Sequence, residues 1–147
     1  MGDAVILTHM PPPAPFELAI PPAVVAAFVA HARGELPNES CGFLAGRVGD
    51  GVGVVSRYLP VVNELQSPTA FATEPASLFA AFKAMRAAGD DVLGVVHSHP
   101  TTAAIPSRRD LDQNTYGPNV VWAIVSFADT EPVVRYWWLG ATDYREA

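Results

Sequence analysis

Cysteine is nearly absent: Cys41 is the only one in 147 residues. That excludes an intramolecular disulfide and a cysteine-rich zinc knuckle. A lone thiol suits a reducing cytoplasm, which is the expected location. Lysine is as scarce, with Lys83 alone, and the formal net charge is −6. With no basic stripe, nucleic acid is not an expected partner. The longest apolar runs fall far short of the roughly 20 residues that span a bilayer, so no membrane association is expected. Met1 to Met10 lacks a basic region followed by a sustained apolar stretch, and no secretory signal is read there. No internal repeat is visible, and no oligomeric state is read from the sequence.

What is present describes a globular α/β chain. Half of the residues are hydrophobic and only 16% are charged, which argues against disorder. A chain of this length buries roughly 68–70% of its unfolded surface, enough for one core. Pro11, Pro12, Pro13 and Pro15 make a stiff lead-in, because proline fixes φ and removes a donor. Residues 1–20 are therefore read as a Pro-rich lead-in, with a short strand or frayed end at Val5 to Thr8, and residues 21–147 as the domain.

Periodicity predicts a first helix over Pro21 to Arg33, with prolines at its start and Gly34 at its end. A turn at Pro37 to Ser40 leads into a short buried strand, Cys41 to Ala45, closed by Gly46. Val52 to Val62 reads as one or two strands, and Asn63 to Thr73 as irregular. A second helix covers Pro75 to Ala88 and stops at Gly89. Val92 to Val96 is an apolar run ending at His97, as in a buried central strand. A third helix is expected over Ser107 to Tyr116. The strands Val120 to Phe127 and Val133 to Leu139 follow, close enough to form an antiparallel pair. This order predicts a mixed β-sheet flanked by helices. Trp137 and Trp138 alternate across a strand, one expected in the core and the other at the surface or in a contact.

The chemistry concentrates in the segment from His97 to Asp110. If the central strand continues through His99, His97 and His99 project from one face and converge. Ser98 then points away. Pro100 ends the pairing, and the chain turns back to deliver Asp110 in the first turn of a helix. Two imidazoles and a carboxylate make a ligand set for one Zn²⁺ ion per chain, with one position left for water. Hydrolysis at such a site still needs a general base. Glu39, at the entrance to the strand from Cys41, is the candidate. Ser107 could donate its hydroxyl to a developing oxyanion. Each residue also has a plain structural reading. Ser107-Arg108-Arg109-Asp110 reads as a helix N-cap with an acidic residue three positions on, and the two roles can coexist. Glu39 alone reads as a solvated turn residue. Cys41 reads as a small buried residue rather than a ligand. His9 and His31 read as structural or surface histidines.

Glu39, His97-Ser98-His99-Pro100 and Ser107-Arg108-Arg109-Asp110, with six residues between Pro100 and Ser107, together resemble the JAMM motif of the MPN-domain metalloproteases. Pro37 to Gly46 resembles the glutamate-bearing strand of that family, and the loop with Asn63 and Phe71 fits it less specifically. The resemblance spans roughly Pro21 to Leu139 and is of the compact prokaryotic type. It implies the MPN fold, an α/β sandwich similar to cytidine deaminases. It implies that His97, His99 and Asp110 bind zinc, that Glu39 is the general acid/base, and that Ser107 stabilises the tetrahedral intermediate. The substrates it implies are bonds after the C-terminal glycine of ubiquitin-like proteins. Related small bacterial enzymes trim ubiquitin-fold sulfur carriers, including release of cysteine during cysteine synthesis. A non-catalytic MPN module that binds a protein partner is the alternative. A zinc nucleoside deaminase is disfavoured, because that chemistry takes a Cys-containing ligand set and only Cys41 is available.

Overall fold

The computed structural model describes residues 14–147. The strand expected at Val5 to Thr8, the histidine His9 and most of the proline lead-in lie outside the described residues. The elements in chain order are β1 (Glu17–Ala19), α1 (Pro22–Glu35), β2 (Cys41–Gly49), β3 (Val52–Val61), α2 (Pro75–Ala88), β4 (Asp91–His99), α3 (Arg108–Asp112), β5 (Val121–Ser126), β6 (Val133–Leu139) and β7 (Tyr144–Glu146). The strands form one sheet in the order β1-β3-β2-β4-β5-β6-β7. Pairs β1–β3 and β4–β5 are parallel and the others antiparallel. This is the mixed sheet flanked by helices that the element order predicts.

One helix packs on each face. Val24, Phe28 and Ala32 of α1 bury against Leu44, Val55, Val96, Val121, Ala123 and Val125. Ala81 and Met85 of α2 bury on the opposite face, with Phe43, Val95, Trp122 and Ile124. The sheet curls around α1 until its two edges approach. Phe16, just before β1, meets Trp138 of β6 edge-on with ring centroids 5.1 Å apart. This closure corrects the reading of the tryptophan pair. Trp137 and Trp138 do lie on opposite faces, but both are buried, because Phe16 covers the second one.

The boundaries differ where local chemistry overrides pattern. Gly34 lies inside α1 rather than ending it; Leu36, held extended before Pro37, is the cap. Gly46 does not close β2. The strand bulges there against β3, and the close approach of the Val54 carbonyl oxygen leaves no room for a Cβ at Gly46. β2 and β3 are joined by Asp50-Gly51, both at positive φ (53° and 78°), a primed hairpin turn matched to strand twist. α3 ends at Asp112, short of the expected Tyr116. The Asn114 side chain accepts from the Tyr116 N–H and donates to the Gly117 carbonyl, which favours a turn over continued helix. β1 and β7 have three residues each, too few for a period to show. β1 places the start of the sheet ahead of Pro21.

Candidate active site

The site stands at the C-terminal end of β4. Register holds β4 between β2 and β5, with His97 opposite Cys41 and Ile124. Strand alternation puts His97 and His99 on the α2 face. Ser98 points away, where its hydroxyl accepts from the Ser40 N–H at 2.8 Å. The loop after Pro100 is tied down from three sides. The Ser126 hydroxyl donates to the Thr102 carbonyl at 2.5 Å. The Phe127 N–H donates to the His99 carbonyl at 3.1 Å. The Trp137 indole N–H donates to the Ala104 carbonyl at 2.9 Å. Sequence reasoning missed this use of Trp137; a tryptophan on a strand facing the returning loop is its only signal.

That loop returns the chain at α3, where Ser107 is the N-cap. Its hydroxyl oxygen accepts from the Asp110 N–H at 3.1 Å, and Asp110 Oδ2 accepts from the Ser107 N–H at 2.9 Å. The reciprocal pair is a capping box that fixes the Asp110 carboxylate. The carboxylate then meets both histidines. Asp110 Oδ1 lies 3.1 Å from His97 Nε2, and Oδ2 lies 3.2 Å from His99 Nε2. The two Nε2 atoms are 3.1 Å apart. All three residues are buried.

This donor set fits a zinc ion. Bonds of about 2.0–2.1 Å in a tetrahedron put neighbouring ligand atoms about 3.3 Å apart, close to the spacing seen. His99 Nδ1 donates to the Ala103 carbonyl at 2.8 Å, which leaves the Nε2 lone pair facing the cluster. His97 Nδ1 has no partner and is fully buried; Phe71 stacks on its ring at 5.1 Å and Trp122 meets it edge-on. Burial by itself would raise the Asp110 carboxyl, but hydrogen bonds to His97 and His99 hold it well below the usual carboxylate range. Burial would lower His99, and the Asp110 carboxylate with the Ala103 carbonyl outweighs it, so His99 is raised.

Glu39 reaches the same cleft from the other side. It is only 6% exposed. Its backbone is anchored: the N–H donates to the Ser67 carbonyl at 2.8 Å, and its carbonyl accepts from Asn63 Nδ2 at 3.0 Å. Asn63 also bonds the backbone of Leu65, Ala70 and Ala72, and so pins the loop opposite α3. Its role as this hub was not legible in the sequence. The Glu39 carboxylate itself makes no hydrogen bond or ion pair among the described residues. Burial raises its pKa to about 7, with His99 and Arg109 opposing and Asp110 assisting. Glu39 and Asp110 line one cleft of about 610 Å³, with Phe71, Tyr116 and Trp122 among its walls.

The remaining candidates are structural. Cys41 is buried, its thiol faces the Val61 carbonyl at 3.6 Å, and burial pushes it up to about 12. His31 bonds the Tyr58 hydroxyl at 2.6 Å on the far side of the sheet.

A strand–loop–capped-helix unit thus gathers two histidines and an aspartate that could hold a metal ion, beside an isolated glutamate. The family described as prokaryotic homologs of the JAB domain matches residues 21–140, and the chain belongs to that family, the compact prokaryotic branch of the JAMM/MPN fold. It is similar to the CysO-cysteine peptidase of Mycobacterium tuberculosis, 35% identical over 114 residues, covering 78% of this chain and 76% of that protein. It is also similar to a desampylase of Haloferax volcanii, 33% identical over 105 residues, covering 68% of this chain and 73% of that protein. A protein of Desulfitobacterium hafniense solved in solution superposes with a TM-score of 0.78 at 34% identity, covering 88% of this chain and 89% of that one.

Proposed function

We propose that this protein is a zinc-dependent peptidase or isopeptidase that hydrolyses the bond after the C-terminal glycine of a ubiquitin-like or sulfur-carrier protein. The observation that carries this reading is that Asp110, gathered with His97 and His99 in one cluster, lines the same cleft as a glutamate whose carboxylate has no hydrogen-bond partner among the described residues. The names of the relatives, a CysO-cysteine peptidase and a desampylase, support the substrate class. Release of cysteine in cysteine synthesis fits the first of them. A cytoplasmic setting agrees with the single free thiol, and no helix among the described residues is long and apolar enough to cross a membrane.

His97, His99 and Asp110 would hold one zinc ion. When bound, zinc polarises the scissile carbonyl and lowers the pKa of a water toward neutrality. Glu39 is the proton carrier: its carboxylate takes the proton of the attacking water and gives it to the leaving nitrogen. In the metal-free protein burial raises its pKa to about 7, and a carboxyl raised above its ordinary range suits transfer in both directions. Ser107 uses its oxygen as an acceptor for the Asp110 N–H, and its own O–H is left to donate to the oxyanion. No covalent acyl-enzyme is invoked. The one thiol, Cys41, is buried and held protonated, and so cannot act as a nucleophile.

The test is mass spectrometry of a ubiquitin-fold sulfur carrier bearing one C-terminal cysteine. It is incubated with zinc-loaded protein, with a chelated sample and with Glu39→Ala. Loss of one cysteine only with the zinc-loaded wild type is expected. An intact carrier throughout would refute release of a terminal cysteine and leave an isopeptide substrate or a binding-only domain.

A further inference from the structure

The catalytic cleft is lined by three carboxylates, Glu39, Asp110 and Asp112, and by one cation, Arg109. A leaving group that carries its own carboxylate would meet like charge at Glu39 and Asp110, while Asp112 is offset by Arg108 at 3.9 Å. Only Arg109 offers it a counter-charge from the protein. The guanidinium is free to do so, since it makes no hydrogen bond, ion pair or ring contact among the described residues. Its neighbour Arg108 does not line the cleft; it is 93% exposed and pairs with Asp112 at 3.9 Å. The main chain under Arg109 is fixed, because the capping box locks the residues on both sides of it. Arg109 lines the same cleft as Glu39 and Asp110, which places it beside the reacting centre.

We propose that Arg109 reads the leaving group, binding the free α-carboxylate of a single amino acid attached to the carrier's terminal glycine. The inference rests on the carrier-peptidase reading above and narrows it from any carrier conjugate to carriers with one C-terminal residue. A guanidinium and a carboxylate match as planar forks with two parallel N–H···O bonds. In such a substrate the scissile nitrogen and the carboxylate share one Cα, so the anion sits beside the bond that breaks. In a conjugate to a lysine side chain, the scissile nitrogen lies at the far end of the side chain. The α-carboxyl of that lysine is already tied into the main chain, and no anion accompanies the scissile bond. During hydrolysis water adds its oxygen to the glycine carbonyl carbon and the C–N bond breaks. The carrier keeps the new carboxylate, and the amino acid leaves with its amine protonated. Arg109 takes part in none of these bond changes; it selects.

The experiment compares two carriers that differ in one group, the same carrier extended by cysteine as the free acid or as the amide. Zinc-loaded wild type and the variants R109Q and R109K are assayed for kcat and KM on each. Wild type should favour the acid by at least about tenfold in kcat/KM, chiefly through KM, and R109Q should bring the ratio near one. R109K, a point charge without the fork, should fall between them. The carrier joined to a lysine side chain should be cut more slowly than the acid by wild type, with the gap narrowed in R109Q. Equal cleavage of acid and amide by wild type would overturn the inference and leave the peptidase reading standing. So would R109Q lowering both alike with the ratio kept. Cleavage of the lysine conjugate alone would overturn the inference and leave a carrier hydrolase, and cleavage of none of the three by zinc-loaded wild type would overturn the peptidase reading and the inference with it.

Discussion

The two faces of the sheet come from the same strands and end differently. On the α1 face, Leu44, Val96, Val121, Ala123 and Val125 are apolar along their length and close over Phe28. Its one polar residue on β4 near the site, Ser98, serves a backbone N–H. On the α2 face, Val95, Trp122 and Ile124 begin the same way. Beyond them the strand ends carry His97 and His99, with Asp110 and Glu39 facing in. Strand parity thus separates stability from chemistry within single strands. The candidate site residues sit beside a parallel pair, at the carboxyl ends of β4 and β5, where α/β sheets commonly bind ligands.

The contrast breaks most sharply at Asp110. Asp110→Ala removes a proposed ligand and one half of the capping box at once. Zinc stoichiometry should fall from one toward zero and turnover to background, as read by metal analysis and carrier cleavage. A fully metallated, active variant would refute the ligand set. On the other face, Phe28→Ala opens a cavity at a fully buried ring. It should lower unfolding stability by about 3–5 kcal/mol in urea titration. Zinc stoichiometry of the folded fraction should stay at one. Loss of zinc from folded Phe28→Ala protein would show that the two faces are not separable.

Much of this division was legible beforehand. The 14-residue span of α2 follows from its apolar stripe and the αL glycine at its end, and the convergence of His97, His99 and Asp110 from strand alternation plus a helix cap. These are local rules read from neighbouring residues. What escaped depends on distant parts of the chain. Trp138 is buried only because the sheet curls far enough to bring Phe16 onto it. Asn63 organises a loop through four backbone partners that no spacing reveals. The isolation of the Glu39 carboxylate is likewise a property of the assembled cleft. Asp50-Gly51 is the exception, a turn signal present in the sequence that would have joined β2 and β3 directly.

That isolation makes Glu39 the place where the functional face costs stability. Its pKa rises from the model-peptide value of 4.5 to about 7 on folding. The unfolded chain therefore ionises first. Stability contributed by the neutral carboxyl is complete below pH 4.5, is lost as pH rises through 7, and stays lost above. At about 1.4 kcal/mol per pH unit the whole loss is about 3 kcal/mol. Metal-free Glu39→Gln, which cannot ionise, should be more stable than metal-free wild type by about that amount at pH 9. The advantage should fade toward pH 4. An advantage that stays constant with pH would refute the desolvated glutamate. With zinc present, the same variant should keep the metal and lose turnover by roughly 10²–10⁴-fold.

Ser107 carries the smallest expected effect on stability, and it separates the two roles that its sequence pattern left superposed. As a cap, its oxygen accepts from the Asp110 N–H; as a donor, its O–H would meet the oxyanion. Ser107→Ala removes both and should cost about 1 kcal/mol of stability. Ser107→Asn keeps a side-chain oxygen able to cap but has no hydroxyl, so its stability should stay within a few tenths of a kcal/mol of wild type. If the hydroxyl acts in the reaction, both variants lose turnover, by roughly 10²–10³-fold, despite their different stabilities. If the residue only caps, turnover follows stability and Ser107→Asn works like wild type. Thermal melts beside kcat for the two variants decide it. The second outcome would return Ser107 to the structural side of the comparison and leave the oxyanion without a donor from this chain at that position.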